Sequence, residues 1–77
     1  MMWMLVLINQ AGEPSAWMDS RSLSGLLCMF RTVLLSPNNE WESLYQALEQ
    51  IAHAPQTERR YDLGMHHNRH AWLLHTY

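Results

Sequence analysis

The chain has 77 residues, 48% apolar and 16% charged, with a formal net charge of −2, and its basic residues are five arginines with no lysine. A chain of this length buries only about 60% of the surface its unfolded form exposes, so it supports one domain around one core. So weak a field excludes strong charge-driven attraction to nucleic acid or anionic lipid, and the single cysteine, Cys28, excludes an internal disulfide. Stability must therefore come from packing or association, and a cytoplasmic setting is the simplest expectation.

Residues 3–8 form an uninterrupted apolar run with a β-branched component, too short for a typical helix and followed by Asn9, Gln10, Ala11, Gly12, Glu13 and Pro14. This pattern predicts a strand buried within a sheet, then a turn. No basic residue precedes the run and no small-residue cleavage pattern follows it, so it is expected to be retained rather than removed as a signal peptide. Residues 15–18 are expected to return as a short second strand, with Pro14 suited to a sheet edge, where a missing backbone donor is tolerated.

Residues 22–55 carry two helical periods. Leu23, Leu26, Leu27, Phe30, Val33 and Leu34 recur at three- and four-residue spacings, as do Trp41, Leu44, Tyr45, Leu48, Ile51 and Ala52. Two amphipathic helices with a tight connection fold back as an antiparallel hairpin. Asp19, Ser20 and Ser22 are successive N-cap candidates for the first helix, and Ser36 and Pro37 end it. Asn38 or Asn39 is expected to cap the second, Asn39 and Glu42 having capping-box spacing, and Pro55 closes it after His53. The longest apolar stretch here, residues 23–35, is interrupted by Ser24, Arg31 and Thr32. It falls short of the ~20 residues a membrane span requires.

Residues 59–77 read as a β-hairpin, with Tyr61, Leu63 and Met65 alternating before a polar turn and Trp72, Leu74 and Thr76 after it. A two-residue turn at Asn68 and Arg69 pairs His67 with His70, Met65 with Trp72, Leu63 with Leu74 and Tyr61 with Thr76 on one face. The other face then pairs Asp62 with His75 and Arg60 with Tyr77. The fold expected is α+β and two-layered, an antiparallel sheet of three or four strands with a two-helix hairpin on one face, in the order β-β-α-α-β-β.

Three chemistries compete for the polar residues. His66, His67, His70 and His75 invite a metal, but in this register only His67 and His70 approach each other, and neither Cys28 nor a carboxylate completes a ligand set. Cys28, expected to be at least half-buried between Leu27 and Met29, has no orienting partner for nucleophilic work, and no pair of acids has catalytic spacing, so an enzyme is not expected. Arg59, Arg60 and Arg69 near Tyr61, Trp72 and Tyr77 suggest a stacking surface for a single strand, which the acidic balance opposes. No cofactor is implied.

What remains is an excess of large apolar side chains over the core available, which marks an interface. The expectation is a small non-enzymatic module that binds a protein partner as inhibitor, adaptor or regulator, an anti-defence factor of phage or mobile-element origin being one form. A histidine-dependent metal binder or single-strand binder is the alternative. Interface candidates are Trp3, Trp17, Arg60, Leu73, His75 and Tyr77, and a two-fold dimer through the face holding Leu73 is expected, with Leu73→Glu separating it into folded monomers.

Overall fold

Seven consecutive apolar residues need cover on both faces, and β1 (Met2–Ile8) accordingly lies inside the sheet. The computed structural model describes residues 2–34 and 41–76. After β1 come β2 (Pro14–Ser20), α1 (Leu23–Leu34), α2 (Glu42–Ala52), β3 (Arg60–His66) and β4 (Arg69–Thr76). The strands form one antiparallel sheet in the order β2-β1-β4-β3, and the helices cover one face of it, giving the expected α+β architecture with four strands. The core joins Trp3, Leu5 and Leu7 of β1, Leu63 of β3 and Ala71 and Leu73 of β4 to Leu23, Leu26 and Phe30 of α1 and Leu44 and Leu48 of α2.

Asn9 builds the β1–β2 turn. Its Oδ1 accepts from the backbone N–H groups of Ala11 and Glu13, both at 3.0 Å. Gly12 there takes φ +82°, which a side chain would strain. β2 starts at Pro14 on the sheet edge and extends to Ser20, so Asp19 and Ser20 belong to the strand and Ser22 caps α1, its Oγ accepting from the Gly25 N–H at 3.0 Å.

That cap explains a glycine one turn into a helix. A Cβ on Gly25 would lie 2.5 Å from Ser20 Oγ and 2.9 Å from Ser22 Oγ. In an open helix Gly→Ala would add about 1 kcal/mol. Here it must displace a cap worth about 1 kcal/mol and also crowd Ser20. Gly25→Ala is therefore expected to lower the melting temperature, as Ser22→Ala does; a clear rise on thermal unfolding would contradict this packing.

The helices run antiparallel. Leu23 and Ser24 share a groove with Ala52 and His53, while at its other end Arg31 Nε donates to Tyr45 Oη at 3.2 Å. Trp41, not an asparagine, occupies the N-cap position of α2 and makes no side-chain cap bond. Ser36, Pro37, Asn38 and Asn39 lie outside the described residues. Cys28 is exposed on α1 rather than half-buried, because the apolar stripe of Leu23, Leu26 and Phe30 passes beside it.

The C-terminal hairpin differs from its expected register. The turn sits at His67 and Asn68, both left-handed (φ 52° and 61°), and pairs His66 with Arg69 and Met65 with His70. This moves the register by two, which preserves the faces. A bulge then inserts Leu63 as an extra residue, so that Asp62 pairs with Trp72, Tyr61 with Leu73 and Arg60 with Leu74. One inserted residue reverses the parity of everything beyond it. Ala71 and Leu73 therefore enter the core beside Tyr61 and Leu63, while Trp72 and Leu74 face the other way. Gly64 follows the bulge at φ +82°, its N–H donating to Asp62 Oδ1 at 2.8 Å.

β2 carries a matching device. Met18 opposes Leu5 and Ala16 opposes Val6, leaving Trp17 as the extra residue, and Trp17 and Met18 both pack against the core. Both edge strands thus contain a bulge, a feature that discourages edge-to-edge pairing with another sheet.

Candidate functional site: the open face of the sheet

Alternation sets the composition of the face away from the helices. With Trp3, Leu5 and Leu7 committed to the core, β1 turns Met4, Val6 and Ile8 outward, and β4 turns out His70, Trp72 and Leu74 opposite them. Reading across β2-β1-β4-β3, the registers define three rows: Asp19–Met4–Leu74–Arg60, Ala16–Val6–Trp72–Asp62 and Pro14–Ile8–His70–Met65. Val6, Ile8, Pro14, Arg60, Trp72 and Leu74 line one shallow depression on this face. Among the described residues no helix or strand packs on it. The centre is apolar, and Asp19, Arg60 and Asp62 stand at the edges, the arrangement of an apolar interface core with a polar rim.

The interface candidates divide sharply. Leu73 is fully buried and Trp3 is 5% exposed, so neither can meet a partner. His75 stacks on Trp3 at a centroid distance of 3.8 Å with the rings 5° from parallel, on the helix side. Trp17 is half-buried, edge-on to Phe30 at 5.3 Å and 4.8 Å from Trp41. Arg60 does reach the open face, and Tyr77 lies outside the described residues. The residues that make the surface, Met4, Val6, Ile8, Trp72 and Leu74, were legible only as an uncommitted alternating set in β1 and in a β4 assigned to the wrong face.

The metal candidates diverge. His67 packs on Trp41 at 4.9 Å, on the helix side, whereas His70 bonds through Nε2 to Asp62 Oδ1 at 2.6 Å on the open face. Among the described residues no three His, Cys, Asp or Glu side chains come together as a ligand set. The basic residues separate as well. Arg60 begins β3 and Arg69 begins β4 at the hairpin tip, about 20 Å away along the strand. Tyr61 turns inward toward Trp3 and is not part of a stacking platform.

One contact not anticipated from sequence ties α2 to β3. Ser43 Oγ lies 2.9 Å from His66 Nδ1, and His66 Nε2 lies 2.7 Å from the Leu63 carbonyl oxygen. A carbonyl only accepts, so Nε2 carries the proton and Nδ1 accepts from the serine hydroxyl. This is nucleophile-and-base chemistry in outline, but Ser43 is exposed and lines none of the clefts described. Its evident work is to fasten the start of α2 over the bulge, and Ser43→Ala is expected to cost about 1 kcal/mol in urea unfolding.

The Asp62 carboxylate has a lowered pKa. The Gly64 N–H, and after it His70, hold it below the usual carboxylate value. A lowered folded pKa contributes stability above the unfolded value of about 3.9 and loses it as pH falls through the lower folded value. The stability advantage of wild type over Asp62→Ala should therefore be present above about pH 5 and shrink as pH falls through the carboxylate range, read from urea midpoints across pH.

No family model, curated protein or solved structure matches this chain. No helix of the described residues is long and apolar enough to cross a membrane.

Proposed function

We propose that this chain is a small protein-binding module that acts by seating the open face of its sheet on a partner, as an inhibitor, adaptor or regulator rather than a catalyst. The observation that carries the reading is the contiguous apolar set Met4, Val6, Ile8, Trp72 and Leu74 on a face that the helices do not cover. Antiparallel sheets can leave one face to water, but that face then alternates to polar residues. Here it does so only at its margins. Trp72 is the natural anchor, since aromatic and arginine side chains dominate binding energy where they can be desolvated.

The single-strand-binding alternative has less support, because the arginines are dispersed and phosphate neutralisation dominates such affinity. The test compares wild type and Trp72→Asp as baits in extracts of the source cells, read by mass spectrometry. A protein enriched by wild type and lost with Trp72→Asp is expected. Identical capture by both baits would remove the open face from the function.

A further inference from the structure

Resting on that reading of the open face, we infer that its occupant is a second copy of this chain, related by a two-fold axis running along the strands between β1 and β4. Such an axis exchanges left and right across the sheet but preserves position along it. It lays β1 over the β4 of the second copy and β2 over its β3. Each cross-strand row is thereby set against its own reverse.

Two of the rows suit that reversal. In Asp19–Met4–Leu74–Arg60 the acid and the base stand at opposite ends, so Asp19 of each copy meets Arg60 of the other, twice per dimer. In Ala16–Val6–Trp72–Asp62 the small pair occupies one half and the bulky pair the other, so each Trp72 settles over Val6 and not over another tryptophan. An axis across the strands through the Val6 row would instead oppose Asp62 to Asp62, which like charge disfavours. Two sheets stacked this way make an aligned β-sandwich with a helical layer outside each sheet. The alternative route, pairing of sheet edges, is obstructed by the bulges in β2 and β3 and by Pro14.

The size of the face sets the strength. Four strands of about seven residues span roughly 19 by 23 Å, below the size of stable specific interfaces and in the range of weak, transient ones, so dissociation in the micromolar range or weaker is expected. Asp19 and Arg60 of one chain are three strand spacings apart, about 14 Å, too far to pair within the monomer. A charge exchange therefore reports on contact between copies.

Sedimentation equilibrium from 1 to 200 µM in reducing buffer, which keeps the exposed Cys28 from linking chains, should show a monomer–dimer equilibrium for wild type. Asp19→Arg and Arg60→Asp should each weaken it at least about tenfold, since each sets like charges together twice. The double variant Asp19→Arg/Arg60→Asp should recover to within about threefold of wild type, with circular dichroism checking that each variant is folded. A monomer at every concentration overturns the inference, as does a dimer indifferent to both reversals or not recovered by the exchange. If wild type is monomeric yet captures a partner that Trp72→Asp loses, the occupant is that partner and the binding-module reading stands. If capture is also unaffected, both fail.

Discussion

Leu73→Glu is expected to leave the chain unfolded at 25 °C, while Trp72→Glu, one residue earlier on the same strand, leaves it folded. Leu73 is fully buried opposite Leu5 and Tyr61, at the centre of the layer between sheet and helices. Removing a buried leucine costs about 2–5 kcal/mol, and placing an unpaired carboxylate there costs several more. A 77-residue domain has roughly 4–12 kcal/mol of stability in total at the usual 0.05–0.15 kcal/mol per residue. The substitution consumes all or most of it. Trp72 points to the open face, where a carboxylate stays hydrated, so the cost in the isolated monomer is confined to its stack on His70 and its partial burial, well below that at Leu73. Circular dichroism with urea titration separates the two. A cooperatively folded Leu73→Glu protein would mean that β4 presents its other face to the helices.

That pair of residues also marks where reading from sequence stops. The element order, the buried place of β1, the edge position of Pro14 and the helical stripes all follow from periodicity and from residues with restricted backbones, and the structure has them. Periodicity assigns faces only while the alternation is unbroken. The inserted Leu63 breaks it, and because both sets of β4 residues are apolar, Ala71 and Leu73 against Trp72 and Leu74, hydrophobicity could not reveal the inversion. Gly64 was the available signal, since an isolated glycine in a strand commonly marks a bulge. Asn68 at positive φ was another, because asparagine tolerates the left-handed conformation that a tight hairpin turn demands better than arginine does.

The same limit applies to the site. An excess of apolar side chains was evident from composition, and so was its implication of an interface, but the address was wrong wherever it depended on parity. Leu73 and Trp3, expected at the interface, lie in the core, whereas Arg60, expected there too, reaches the open face. The Ser43–His66 contact joins residues 23 apart in sequence through the docking of α2 on β3. Neither element's own pattern encodes that docking angle.

Phe30→Ala is expected to be the most damaging substitution that adds no charge. Phe30 is fully buried, and its ring meets Trp17 edge-on at 5.3 Å and Tyr45 at 5.5 Å, so one side chain joins α1 to the bulge of β2 and to α2. Truncating a buried phenylalanine costs about 3–5 kcal/mol, and for a domain of this size each kcal/mol moves the melting temperature by about 4–8 °C. Phe30→Leu keeps most of the buried volume but loses two aromatic contacts worth about 0.5–1.5 kcal/mol each. The expected order of melting temperatures is therefore wild type, Phe30→Leu, Phe30→Ala, with the last at least 12 °C below the first on these scalings. The chain's tryptophan emission should shift to longer wavelength in Phe30→Ala as Trp17 loses its packing edge. A loss under about 1 kcal/mol would mean that the helical pair is not anchored on β2 through this ring, because only a site able to collapse around the cavity escapes the full cost.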